Sequence, residues 1–515
     1  MSLNGTCVIP VITIDRDEAK PLHRQVYDGY RNAILRGDLV PGQRIPSSRE
    51  FAAEIHVSRF PVLHAYAQLL AEGYFESHVG SGTFISSTLP EQMLSSAQGA
   101  QPSKEGPSGY RPIAQRNHYY PQFRRDITLR SSAAFGLQPA FDQFPFRLWS
   151  ELVDRHSRNP SSFSLRRIDP MGSPRFRQEI CHYLRTSRSV KCNPEQIMVV
   201  SGSQQALDIT ARVLLDPGDC VLVEEPGYKL QRTLLAAAGC RMTMVPVDEQ
   251  GMDIVRSPQI KGVKAAFVTP SHHFPLGSTM SATRRLHLLN WAQNTGAWII
   301  EDDYDSEYRF DARPIASLQG LDVNERVIYI GTFSKMLFPS LRIGYIVIPR
   351  DLVSLFEAVR FAMDIFPPYL IQDVLADFMK LGHLGQYVRK MRRIYGERRS
   401  VLLQSINAEF GDFFEVLGAA AGIHVSVALP PGFNDLDISD RAAAERLFLW
   451  PLSRHYAGEP RHGFVLGYGG ISAEQIPAAV KRMRALVLDG EAAYQPAITQ
   501  EIFSGNMICK PSPVL

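Results

Sequence analysis

The stretch Val327-Ile328-Tyr329-Ile330-Gly331-Thr332-Phe333-Ser334-Lys335 decides how this chain reads, together with Arg342 seven residues on, in Pro339-Ser340-Leu341-Arg342-Ile343-Gly344-Tyr345. An apolar run of strand character ends in small hydroxyl residues, then a lysine, then an arginine. Hydroxyls and a guanidinium can hold a phosphate dianion. A lysine can form a Schiff base with an aldehyde on the same ligand. A lone lysine in a loop is ordinarily a solvated charge, but this one stands beside groups that fit the other half of one molecule. Pyridoxal 5′-phosphate carries both the aldehyde and the phosphate.

Three further segments fit that cofactor. Ser201-Gly202-Ser203-Gln204-Gln205-Ala206 follows the apolar Ile197-Met198-Val199-Val200. It reads as a strand, a tight turn and a helix whose free N–H groups can meet phosphate. Glu225-Pro226-Gly227-Tyr228 follows Val221-Leu222-Val223 and puts an aromatic ring at a strand end, where it either stacks on a pyridine or simply packs. Ala297-Trp298-Ile299-Ile300 runs into Glu301-Asp302-Asp303-Tyr304-Asp305. A carboxylate there can keep a pyridine nitrogen protonated, making the ring an electron sink.

With these segments in place, the region from about Ser131 to Leu488 resembles a fold-type I aminotransferase, an α/β domain that binds pyridoxal phosphate. The resemblance makes Lys335 the catalytic-type Schiff-base lysine, Asp302 the partner of the pyridine nitrogen and Tyr304 the partner of the ring phenolate. It gives Tyr228 the stacking role, and assigns Thr332, Ser334 and Arg342 to the phosphate, with Ser203 and Gln204 at the second phosphate turn. Arg461, in Arg461-His462-Gly463-Phe464, matches the segment whose arginine holds a substrate or effector carboxylate. One motif departs. Where many aminotransferases carry Asn-Pro-x-Gly, this chain has Ser271-His272-His273-Phe274-Pro275-Leu276-Gly277, with Phe274 at the asparagine's position and His272 or His273 as candidate substitutes.

The preceding segment has its own organisation. Leu22, Val26, Tyr30 and Ile34 recur every four residues and Gly37 closes the pattern, which predicts an amphipathic helix. Ser47-Ser48-Arg49-Glu50 is a capping box that opens a short helix. Val57-Ser58-Arg59 is a turn, and Val62, Ala65, Tyr66, Leu69 and Leu70 mark a third helix. Two short helices joined tightly predict a helix-turn-helix. Tyr74-Phe75-Glu76 and Thr83-Phe84-Ile85 flank Gly80-Ser81-Gly82 and predict a hairpin wing. The segment resembles the GntR-type winged helix. That resemblance assigns Arg49, Ser58 and Arg59 to DNA and sends Ser81 and Gly82 of the wing to the adjacent groove. Phe60-Pro61 stands where such modules commonly have a polar residue and a threonine. From Lys20 to Ser86 there are seven basic residues against six acidic ones, so affinity has to come from a few placed arginines and from pairing two modules.

The expected organisation is a winged helix over 15–86, a linker rich in Ser, Gln, Gly and Pro over 87–130, and the aminotransferase-like domain over 131–490. A net charge of +3 over 515 residues argues neither for nor against nucleic acid, and 45% hydrophobic with 21% charged residues is a globular balance. Six cysteines without a CxxC pair read as reduced thiols of a cytoplasmic protein, and no metal site is expected. No signal pattern or run of 18 apolar residues is present.

The joined architecture resembles the MocR-type regulators. The resemblance implies a regulator that binds a double-stranded DNA operator as a head-to-tail homodimer. It also implies a small amino-containing effector that displaces Lys335 from the cofactor by aldimine exchange, the aminotransferase-like domain serving as sensor. A working aminotransferase with a DNA-binding appendage, and a sensor of pyridoxal phosphate itself, remain as alternatives.

Overall fold

The computed structural model describes residues 12–16, 18–78, 80–89, 115–120, 134–158, 169–255, 261–310, 316–418 and 420–488. Most of the expected linker lies outside the described residues. The chain divides into two compact units, one up to Pro112 and one from Ile113 onward.

The first unit is built on α1 (Leu22–Arg36), α2 (Ser48–Glu54) and α3 (Arg59–Ala71), with a hairpin of β1 (Phe75–His78) and β2 (Gly82–Ile85). The four-residue apolar period buries Val26, Tyr30 and Ile34, and Gly37 ends α1 in the left-handed conformation (φ 81°) that glycine adopts without strain. The Ser47 capping box is formed in both directions: Glu50 N–H donates to Ser47 Oγ and Ser47 N–H to the Glu50 carboxylate. Tyr30, Phe51, Tyr66 and Phe75 form the centre, with ring centroids 5.0 Å apart for Tyr30–Phe51 and 5.3 Å for Tyr66–Phe75. The buried hydroxyls stay satisfied, because Tyr30 and Tyr66 share a 2.8 Å bond and Tyr66 donates to the Pro46 carbonyl. In the wing, β1 and β2 pair antiparallel, Phe75 opposite Ile85 and His78 opposite Gly82.

The second unit is an α/β domain. Its main sheet runs in the order β3 (Ile197–Val200), β10 (Gly344–Val347), β9 (Val327–Thr332), β8 (Trp298–Asp303), β7 (Val263–Val268), β4 (Cys220–Glu225), β5 (Arg241–Asp248), β6 (Gly251–Met252). Strands β9, β8, β7, β4 and β5 are parallel, while β10 is antiparallel to both its neighbours. The central strands are buried along almost their whole length, as expected of parallel strands covered on both faces. A second sheet, β11 (Glu415–Leu417), β12 (His424–Ala428), β14 (Gly463–Gly467) and β13 (Trp450–Pro451), is antiparallel throughout. It accompanies the long helix His383–Phe410 and the helix Ile476–Leu488.

Candidate functional site

The carboxyl ends of parallel strands are where an open α/β sheet presents its ligand groups. Here β4 ends just before Tyr228, β7 before His272, β8 in Asp302 and Asp303, and β9 in Thr332 before Lys335. The return through Arg342 follows from register. Gly344, at the start of β10, pairs with Val200 on one side and Thr332 on the other. That delivers Arg342 between the Ser201-Gly202-Ser203 turn and the end of β9. Both terminal guanidinium nitrogens lie 3.5 Å from where a side chain on Gly202 would begin. Arg342 itself holds a left-handed backbone (φ 49°), a conformation that costs energy away from glycine and that recurs at ligand sites.

Of the four acids after Ile300, three are committed elsewhere. Glu301 accepts the N–H groups of Leu318 and Gln319, 2.9 Å each. Asp303 is tied through Oδ2 to Arg188 and Tyr329, its own Oδ1 also lacking a partner. Asp305 is paired with His272 at 2.9 Å. The remaining one, Asp302, is buried with Oδ1 unpartnered, and its hydrogen bond comes from Ser203. Burial, reinforced by the neighbouring Asp303 charge, pushes its carboxyl up to about 7. Period-2 alternation separates the roles, since residues 301 and 303 face away from 302 along a strand.

Lys335 donates to the Leu137 carbonyl at 3.1 Å, and burial lowers its amine below the usual 10.5, opposed by the charge of Asp305. Ser334 Oγ and Gln204 Oε1 are buried and unpartnered, whereas the Thr332 hydroxyl serves the turn, accepting from Ser334 N–H and donating to Ile343. The Tyr304 hydroxyl lies 3.2 Å from His272 Nδ1. The rings of Tyr228 and Tyr304 stand edge-on to Phe274 at 6.2 and 6.3 Å. Burial raises the Tyr228 hydroxyl to about 12.

The two histidines of the departing motif separate cleanly. His272 joins Asp305 and Tyr304, and one heteroatom from each of His272, Asp305 and His424 lies within 4.8 Å of the others. His273 instead faces the Pro226 carbonyl and Glu224, and burial keeps it neutral, at about 3. Sequence reasoning did not reach Asp305, His424 or the Leu137 carbonyl. Of these only Asp305, within the acidic cluster, had a local signal.

Arg461 precedes β14, is half-exposed, and pairs with the exposed Glu415 of β11 in the same sheet.

In the first unit, Arg49, Ser58 and Arg59 are exposed at the ends of α2 and α3. Arg59 Nε donates to Ser48 Oγ at 3.1 Å, tying the two helix N-termini together. Ser58 caps α3 by position but makes no side-chain capping bond. Ser81 is exposed at the wing tip, and Arg44 lies against Gly82, 3.1 Å from where a side chain would begin. Arg44 adds a wing cation that the sequence did not single out.

This is a winged-helix module followed by a pyridoxal-phosphate-type aminotransferase fold. Residues 22–85 match the bacterial regulatory proteins of the gntR family, and residues 156–449 match aminotransferase class I and II. The chain is 38% identical to the probable rhizopine catabolism regulatory protein MocR of Rhizobium meliloti, over 94% of this chain and 97% of that one. It is 30% identical to the pyridoxine biosynthesis transcriptional regulator PdxR of Corynebacterium glutamicum, over 89% and 94% respectively. Among solved structures, Pyrococcus horikoshii kynurenine aminotransferase is 25% identical with a TM-score of 0.68, covering 74% of this chain and 98% of its own. The chain belongs to the MocR-type, GntR-family transcriptional regulators with an aminotransferase-like domain. No helix among the described residues is long and apolar enough to cross a membrane.

Proposed function

We propose that the protein binds operator DNA through its winged helix and holds pyridoxal 5′-phosphate on Lys335, where a small molecule with a primary amine competes for the cofactor and changes DNA binding. The observation that carries this reading is the set of unspent buried polar groups at one strand edge. Asp302 Oδ1, Ser334 Oγ and Gln204 Oε1 have no partner, and Arg342 lies over the Gly202 turn. Native interiors rarely leave such atoms unmet without a functional reason. Their chemistry fits a cationic ring nitrogen on one side and a phosphate on the other.

When bound, the cofactor supplies an aldehyde that condenses with amines and a ring that withdraws electrons. The protein's part is positioning and proton control. Lys335, its proton weakened by burial, presents a neutral amine more readily than a solvated lysine. Asp302, raised by burial, regains its charge beside a protonated ring nitrogen and holds that proton. Tyr304 and Tyr228 flank the site, and Phe274 supplies an apolar ring where many aminotransferases place an amide. We assign the winged helix to 15–86, the linker to 87–130 and the sensor domain to 131–490, working as a cytoplasmic head-to-tail homodimer. The Corynebacterium relative, named for control of pyridoxine biosynthesis, supports a second reading in which pyridoxal phosphate is itself the signal.

Borohydride reduction followed by peptide mass spectrometry tests the assignment. A phosphopyridoxyl group on Lys335, absent from Lys335→Ala, is the expected result. The same group on another lysine, or none, refutes it.

A further inference from the structure

The recognition helix α3 has two faces of unusual composition. Val62, Ala65, Tyr66 and Leu69 are buried in the core of the first unit. On the other side Phe60, Leu63, His64 and Ala67 are exposed, at the i, i+3, i+4, i+7 spacing of one helical face. Phe60 is 76% exposed and Leu63 is 42% exposed. Between Phe60 and Ala71 the helix carries no Lys, Arg, Asp or Glu. A phenylalanine and a leucine side by side on a face without charges suit contact with an apolar group of a partner.

Its position indicates the partner. Phe60 lies in the first turn of the second helix of a helix-turn-helix, the part that reaches base edges. Pro61 beside it gives up no hydrogen bond, since first-turn N–H groups have no helical acceptor. Arg59 precedes Phe60 directly, and its bond to Ser48 brings its guanidinium to the residue before the exposed Arg49. An apolar side chain flanked by cations suits a surface that is anionic at its rim and carries apolar groups on its floor. The major groove of duplex DNA is such a surface, and its apolar group is the C5-methyl of thymine.

We propose that Phe60, with Leu63 beside it, is a specificity-determining residue that reads thymine C5-methyl groups in the operator. The proposal rests on the DNA-binding reading and deepens it. The operator half-site then carries thymine under Phe60, recognised by apolar contact rather than by hydrogen bonds.

The test uses the full-length, cofactor-loaded protein. A binding site is first selected from random duplex DNA. Each thymidine of that site is then replaced singly by deoxyuridine, which removes the methyl group and leaves the hydrogen-bonding edges intact. At one or two positions per half-site affinity should fall by about fourfold, the scale set by burying a single methyl-sized group. Phe60→Ser should bind the thymine and uracil duplexes equally, with the salt dependence of binding unchanged because no phosphate contact is lost. Phe60→Leu should retain part of the preference. Uniform indifference of the wild type to uracil overturns the proposal, as does a thymine preference that survives in Phe60→Ser. A change in oligomeric mass in Phe60→Ser without loss of methyl discrimination overturns it too, and makes the face a subunit contact. Failure of the wild type to enrich any duplex sinks the DNA-binding reading itself.

Discussion

Arg342→Ala tests the phosphate half of the proposed cofactor pocket. Both terminal nitrogens of Arg342 lie the same 3.5 Å from the Gly202 position, so the guanidinium presents its fork to the turn rather than one nitrogen. A fork of that kind can make two parallel charge-assisted bonds to a phosphate. Hydrogen bonds to charged groups contribute about 1.5–3 kcal/mol each. Losing both weakens cofactor binding by about 3–6 kcal/mol, or roughly a hundredfold to ten-thousandfold in Kd. Alanine gains no backbone relief at φ 49°, since the left-handed region favours only glycine. The assay is a titration of cofactor-free protein with pyridoxal phosphate, followed by absorbance, in parallel with pyridoxal, which lacks the phosphate. Wild type should prefer pyridoxal phosphate strongly, and the variant should lose that preference while binding pyridoxal as before. Arg342→Lys should recover only part, because an ammonium cannot make the fork. Equal weakening toward both ligands would mean that Arg342 supports the fold, and an unchanged preference would remove it from the phosphate site.

Three further outcomes follow from the same geometry. Asp302→Asn should shift the visible spectrum of the loaded protein and blunt its response to amines, because a neutral amide cannot stabilise a pyridinium. An unchanged spectrum and response would remove Asp302 from the ring-nitrogen role. Burial lowers the Lys335 pKa, so from the folded value up to 10.5 the unfolded chain holds more protons than the folded one, and the stability of the cofactor-free protein rises with pH across that window. Lys335→Met should therefore be the more stable protein below the window, with its advantage shrinking as pH approaches 10.5; denaturant melts at several pH values check this, and a constant difference refutes it. Arg49→Ala and Arg59→Ala should each cost about 1–3 kcal/mol in operator affinity if they contact bases, without changing cofactor absorbance. Gel-shift titration measures the loss, and an unchanged affinity for Arg59→Ala means that α3 docks differently.

Local signals were strong where residues act through their own segment. The period of α1, the Ser47–Glu50 box and the strand-end position of Lys335 are readable because capping, periodicity and strand termination are near-neighbour effects. The selection of Asp302 from its acidic neighbours was available only by resemblance. Its physical basis is tertiary, since Arg188, His272 and the N–H groups of Leu318 and Gln319 come from distant segments to occupy the other three acids. The choice of His272 over His273 beside Tyr304 is likewise invisible in sequence, being decided by which ring the turn aims at Asp305. Arg461 shows the complementary case: its motif position says where it lies along the chain, while its ion-pair partner Glu415 comes from another strand.

The most direct test of the central claim measures one sample three ways. Loaded protein on its selected operator is challenged with a panel of α-amino acids, ω-amino acids and amino sulfonates, while the visible spectrum, the operator affinity and keto-acid production are followed together. An effector can move DNA binding only by its different affinity for two states of the protein, and a lasting adduct supplies that difference where rapid turnover erases it. The account predicts at least one amine that changes the spectrum persistently and alters operator affinity with negligible keto acid formed, and no such response in Lys335→Ala. Sustained transamination with operator affinity unchanged would contradict it.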